Sequence, residues 1–66
     1  MSNQVKYYVS VNLDSGAGGN SHDIETLDQA IDYANELVSK FKNIDSVTVY
    51  RVDEDSSVKE MYKLFR

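Results

Sequence analysis

The glycines after the first apolar segment come nearest to a ligand-binding motif in this chain. They lie in the run Gly16-Ala17-Gly18-Gly19-Asn20-Ser21. A phosphate loop needs a lysine after its last glycine, and a dinucleotide fingerprint needs a third glycine where Ser21 stands. The run therefore predicts a mobile connection between a strand and a helix. A functional loop that becomes ordered on contact with a ligand is the alternative.

Two further groups of residues carry side chains that could do acid–base or metal chemistry. His22 is the single histidine and precedes Asp23, but no nucleophile of a suitable kind accompanies them, and a catalytic triad is assembled across a fold rather than from neighbours. The run Asp53-Glu54-Asp55 lacks the glycine of a calcium-binding loop and instead predicts a solvated turn. The chain has no cysteine and so no thiolate ligand. We therefore expect no catalytic residue, no metal site, no cofactor and no enzymatic activity.

The most one-sided charge pattern is an acidic row at helical spacing. Its carboxylates recur at every fourth residue and share one face of a predicted helix, with a further glutamate just before it. Charged rows of this kind usually keep a surface solvated. The alternative is an electrostatic surface for a basic protein partner. The row consists of Glu25, Asp28, Asp32 and Glu36.

Length and charge restrict the class of protein. We expect 66 residues to form a single domain over residues 1–66, and a core this small gains stability from disulfides, metals or oligomerisation. Without cysteines, oligomerisation is the remaining route. The formal net charge of −4 argues against direct nucleic-acid binding. The sequence shows no secretory signal and no apolar run long enough for a membrane span, so we expect a cytoplasmic protein.

The hydrophobic pattern predicts one helix and three strands. Apolar residues alternate with polar ones from Val5 to Leu13, which is typical of a strand with one buried face. An amphipathic stripe at spacings of three and four predicts a helix over about residues 27–42, with Thr26 as its N-cap and Asn43 at its end. Residues 47–52 and 58–65 predict a hairpin.

These elements predict an α+β fold of the order βαββ. A three-stranded, mostly antiparallel sheet would carry the helix on one face, and the helix would make the first two strands parallel. The last strand could lie between them or at the edge, and we expect the central position. The hairpin register that pairs its apolar residues sets Val47 opposite Leu64, Val49 opposite Tyr62 and Arg51 opposite Glu60.

With this register several large side chains lie on the sheet face away from the helix. Aromatic residues and methionine are enriched in the centres of protein interfaces, and a single helix leaves this face uncovered. Lightly exposed, scattered side chains are the alternative explanation, and a one-residue slip of the register would exchange the two faces. The predicted interface residues are Tyr8, Tyr50, Val52, Met61 and Phe65.

The sequence therefore favours a small, non-enzymatic protein-interaction module that self-associates through its open sheet face. One alternative is an acidic inhibitor or accessory protein that binds a basic partner through its helix face. In size and acidity the chain resembles small accessory proteins of phages and mobile elements. Another alternative is a small-molecule carrier that uses the aromatic face or the glycine loop.

Overall fold

A computed structural model describes residues 5–65 and shows an α+β fold with one helix and a four-stranded antiparallel sheet. The sheet order is β2-β1-β3-β4. The predicted fold class and the single helix are confirmed, but the sheet has one strand more than predicted, and the element order is ββαββ. In chain order the elements are β1 (Lys6–Leu13), β2 (Gly18–Asn20), α1 (Leu27–Lys40), β3 (Ile44–Val52) and β4 (Val58–Phe65).

The additional strand β2 reverses the direction of the chain before the helix begins. It pairs antiparallel with β1, and β3 then also pairs antiparallel with β1 on its other side. The prediction that the first strand and the strand after the helix are parallel was therefore wrong. The central placement of the last strand was wrong too, because β4 pairs with β3 and lies at the edge.

The segment from 18 to 24 covers the free edge of β1. The Ser21 backbone N–H donates to the Val9 carbonyl at 2.8 Å, while the Ser21 hydroxyl accepts from the Val9 N–H at 2.9 Å. Ile24 then exchanges two backbone hydrogen bonds with Tyr7, at 2.7 and 2.8 Å. The serine side chain thus replaces a backbone partner where the strand ladder is interrupted. The connection predicted to be a mobile linker is a hydrogen-bonded part of the sheet.

The helix begins as predicted and ends two residues early. Thr26 is extended, and its side-chain oxygen accepts from the Gln29 N–H at 3.2 Å, which satisfies one of the free donors of the first turn. The helix ends at Lys40, and the extended Phe41 caps it with a backbone hydrogen bond to the Leu37 carbonyl. The prediction that Asn43 ends the helix in a left-handed conformation was wrong, since Ser56 is the non-glycine residue with positive φ in the described range 5–65.

The core lies between the helix and the two central strands. Ala30 and Ala34 are fully buried one turn apart on the helix, and Val9, Val47 and Val49 are fully buried on the sheet. Small alanines allow the helix backbone to approach the sheet closely, so that the valines of β1 and β3 fill the space between them. Half-buried side chains extend this core along the helix: Leu27, Ile31, Tyr33, Leu37 and Val38.

The register of β3 and β4 confirms two of the three predicted residue pairs. Val47 lies opposite Leu64, and Val49 lies opposite Tyr62. A β-bulge follows, so that Tyr50 pairs with Glu60 and Arg51 pairs with Lys59. The predicted Arg51–Glu60 pair was wrong for this reason, because a bulge places two residues of one strand against one of its neighbour.

The two hairpin turns have the same hydrogen-bond pattern. In the first, the Leu13 N–H donates to the Ala17 carbonyl and the Gly16 N–H donates to the Leu13 carbonyl. In the second, the Asp53 N–H donates to the Ser57 carbonyl and the Ser56 N–H donates to the Asp53 carbonyl, both at 2.9 Å. The equivalent residues Gly16 and Ser56 both have positive φ, at 91° and 72°. This is the three-residue hairpin loop that places a left-handed residue in its third position.

Replacing Ser56 by glycine is expected to stabilise the protein. A left-handed conformation costs a residue with a Cβ roughly 1–2 kcal/mol, and the larger entropy of glycine in the unfolded chain offsets part of the relief. We expect Ser56→Gly to raise the free energy of unfolding by about 0.5–1 kcal/mol in urea denaturation. Glu54→Gly in the same turn is the control and should lower it. Equal effects of the two variants would contradict this account.

Candidate interaction surface

The open face is the side of the sheet opposite the helix. It is defined by the residues that alternate with the buried valines, and directly paired residues of neighbouring strands share a face. The helix packs on the other side, and within residues 5–65 no helix or strand lies over this face. The open face consists of Lys6, Tyr8, Ser10, Asn12, Gly18, Asn20, Ser46, Thr48, Tyr50, Val52, Val58, Glu60, Lys63 and Phe65.

Two tyrosines lie together near one end of the open face. Tyr8 and Tyr50 are direct partners across β1 and β3, and their rings stack with centroids 5.2 Å apart and an interplanar angle of 25°. Each is half-buried. Val52 follows two residues later, between Lys6 and Val58. This end of the face offers aromatic and aliphatic surface with two phenolic hydroxyls.

The centre of the open face is polar and recessed. Thr48 has an exposed fraction of 3%, although no secondary-structure element in the described chain covers it, because it lies between longer neighbours such as Tyr50 and Lys63. Ser46 is also buried and accepts a hydrogen bond from the Asn12 side-chain amide at 3.2 Å. The face is therefore a shallow trough of small hydroxyl residues with larger side chains around it.

Phe65 forms the apolar end of the face opposite the tyrosines. It pairs with Ser46 at the end of β4, and its exposed fraction is 71%. The ammonium of Lys63 lies 5.1 Å from the centre of its ring, which is the geometry of a cation–π contact. This phenylalanine therefore lies outside the core and presents its ring to the surroundings.

The bulge changes which residues of β4 belong to the open face. Met61, one of the five predicted interface residues, is the extra residue of the bulge and has no direct partner on β3. Glu60 takes the place opposite Tyr50, and Lys59 moves to the other face opposite Arg51. Sequence reasoning also missed Val58, which is 54% exposed beside Val52. The predicted register, with Arg51 opposite Glu60, lacks the bulge and therefore assigned Glu60 and Val58 to the face that carries the helix.

The acidic row lies on the exposed side of the helix, and its charges are partly compensated. Asp28 and Asp32 are exposed, and Asp28 lies in the first turn, where the helix dipole favours a negative charge. Glu36 forms an exposed ion pair with Lys40 at 3.7 Å, one turn later. Glu25 precedes the helix and is exposed. The four carboxylates therefore share a solvated surface whose C-terminal part is neutralised.

The remaining candidates for chemistry do not converge. His22 is exposed, and its ring centre lies 6.4 Å from that of Tyr33. The Ser57 hydroxyl and then its backbone N–H donate to Asp55, which lowers the pKa of that carboxyl group and fixes the turn. Residues 5–65 contain no group of three or more potential metal ligands. The predicted absence of an active site stays a prediction.

Two shallow pockets lie on either side of Val5. The larger has a volume of about 410 Å³, and its wall includes Lys6 and Asp23, whose charged groups are 3.5 Å apart. The smaller, of about 310 Å³, borders the turn and includes Arg51 and Asp53, joined by an ion pair at 2.8 Å. Among the residues that the structure describes, the walls of these two pockets contain no aromatic residue and no glycine.

No protein-family model, no curated protein and no solved structure matches this chain. The helix of the described region is too short and too polar to cross a membrane.

Proposed function

We propose that this protein is a non-enzymatic interaction module that self-associates through its open face. The observation that carries the proposal is the arrangement of Tyr8, Tyr50 and Phe65 on a sheet face that lies opposite the only helix of residues 5–65. Stacked tyrosines and an exposed phenylalanine provide the rigid aromatic area that interface centres use.

The small core supports the same proposal. Its fully buried side chains are valines and alanines, and the larger apolar residues of the helix remain half-buried. A domain of this size gains stability when two copies bury a shared surface, because association favours the folded form by mass action. Self-association therefore supplies what disulfides and metals supply in other small domains.

Substitution of Phe65, at the end of the open face, tests whether the protein self-associates through this face. We expect the wild-type mass, measured by size-exclusion chromatography with light scattering, to rise above the 7.5 kDa of one chain as concentration increases. The Phe65→Lys variant should keep the mass of one chain at every concentration, because the lysine places a charge where the proposed interface requires an apolar contact. Tyr50→Lys should do the same and also lower the stability, since the ring stacks on Tyr8.

The matched control is Phe41→Lys. Phe41 is an exposed phenylalanine at the end of the helix and does not belong to the sheet, so the same substitution there should leave the oligomer intact. A wild-type protein that keeps the mass of one chain at all concentrations contradicts the proposal. An oligomer that survives both Phe65→Lys and Tyr50→Lys also contradicts it.

A further inference from the structure

The open face consists of four rows of residues that run across the strands. Two rows lie at its centre: one contains Tyr8, Tyr50 and Glu60, and the next contains Ser10, Thr48 and Lys63. Successive rows are about 6–7 Å apart, because alternate residues of a strand share a face. The outer rows are Lys6, Val52 and Val58 beside the tyrosines, and Asn12, Ser46 and Phe65 beside Thr48.

The charges on this face are few, and two of them lie in its two middle rows on the edge strand β4. Glu60 and Lys63 occupy neighbouring rows of β4, and in the described part of the chain neither forms a salt bridge. The other charged residue of the face, Lys6, already pairs with Asp23. Most carboxylates of this acidic chain lie on the helix, the turns and the loops. One negative group is thus available to a partner, together with one positive group, Lys63, whose ammonium lies beside the ring of Phe65.

A two-fold axis decides which rows can meet in a face-to-face dimer. Symmetric dimers use the same surface on both copies, and packed sheets keep their strand directions within about 30° of each other. An axis that crosses the strands along the Thr48 row would bring Lys63 of one copy against Lys63 of the other. An axis along the Tyr50 row would bring Glu60 of one copy against Glu60 of the other. Both arrangements bring like charges together.

An axis midway between these two rows removes the conflict. It brings Glu60 of each copy over Lys63 of the other, which gives two ion pairs of opposite charge. It also brings Phe65 over Val58, the two most exposed apolar residues of the open face. The tyrosine rings then lie over the recessed row of Ser10 and Thr48, where small side chains leave room for them.

We propose that a second copy docks on the open face about this axis, with Glu60 of each copy paired with Lys63 of the other. The proposal rests on the proposed self-association and adds the arrangement of the two copies. Partly exposed ion pairs contribute modestly to affinity but strongly to register, because the wrong register brings like charges together. Among arrangements whose axis runs across the strands, the pairs therefore favour this one over those that bring like charges together.

Charge reversal tests the arrangement. We expect Glu60→Lys and Lys63→Glu each to raise the dimer Kd about tenfold at low salt, measured by sedimentation equilibrium, since each replaces two attractive pairs by two repulsive ones. The double variant restores opposite charges across the axis and should return Kd to within about threefold of wild type. A double variant as weak as the single ones would overturn the proposal. Dimerisation by the wild type would then still support the proposed function, whereas a monomeric wild type would overturn both.

A second variant separates face-to-face docking from pairing along the free edge of β4, which also carries Glu60 and Lys63. Ser10 lies on β1, two strands away from that edge. Ser10→Arg should abolish the face-to-face dimer, while Ser39→Arg on the exposed side of the helix should leave it unchanged. A dimer that tolerates Ser10→Arg would show that the copies meet elsewhere.

Discussion

Gly18→Ala is expected to lower the free energy of unfolding by about 2 kcal/mol, as other substitutions that overfill a packed site do. A Cβ at Gly18 would overlap the carbonyl oxygen of Val11 and would lie 3.4 Å from the carbonyl carbon. Both atoms belong to the backbone of β1, so the clash cannot be relieved by rotating a side chain. The strand β2 must move away from β1, which exposes the hydrogen bonds between them.

Gly19→Ala is the matched control for this substitution. The neighbouring glycine has no atom within 4 Å of the Cβ position, and its backbone does not require positive φ. Urea denaturation should therefore give nearly the wild-type stability. Hydrogen exchange locates the effect: the amides of Leu13 and Ser21, which donate to Ala17 and Val9, should exchange faster in Gly18→Ala only. Equal stabilities of the two variants would show that β2 does not pack closely on β1.

The helix and the buried faces of the strands were predictable because their patterns are strong. The stripe from Leu27 to Val38 fits helical spacing alone, and Thr26 supplies the N-cap. The pairing of Val47 and Val49 with Leu64 and Tyr62 follows from placing apolar residues opposite one another. In both cases burial of apolar surface determines the structure, and apolar residues are visible in the sequence.

The strand β2 was not predictable from hydrophobic pattern. Its three residues, Gly18 to Asn20, are all exposed and carry no apolar side chain, so backbone hydrogen bonds alone place them in the sheet. The available signal was Gly16 in the third position of a short loop, as in a hairpin. Missing this strand changed the direction of every later element, which is why the relation of β1 to β3 was predicted incorrectly.

The bulge in β4 is the feature of the candidate interface that the sequence pattern did not predict. Strict alternation places Met61 opposite Tyr50, but one extra residue places Glu60 there instead. The open face consequently gains a carboxylate opposite Tyr50, and Met61 becomes the extra residue of the bulge. The direct pairing of Tyr8 with Tyr50 was not predicted either, because the last strand was expected to separate β1 from β3.

The close approach of helix and sheet leads to the second large effect. Ala34 is fully buried where the helix lies on the sheet, and it has no room for a longer side chain. Ala34→Leu should lower the free energy of unfolding by about 2–3 kcal/mol, because the helix must shift outward or its neighbours must leave their preferred rotamers. Leucine and alanine both favour helices, so intrinsic helix propensity explains little of this loss.

Ser39→Leu provides the control, since Ser39 is exposed on the same helix and the added side chain meets solvent there. Urea denaturation at a concentration where the protein is monomeric should show near wild-type stability for Ser39→Leu and a clear loss for Ala34→Leu. A loss below about 1 kcal/mol for Ala34→Leu would mean that the helix packs loosely. Ala34 lies on the opposite side of the sheet from the open face, so the folded fraction of Ala34→Leu should dimerise as wild type does. Substitution at Ala34 therefore tests the packing of the helix on the sheet separately from the proposed self-association through the open face.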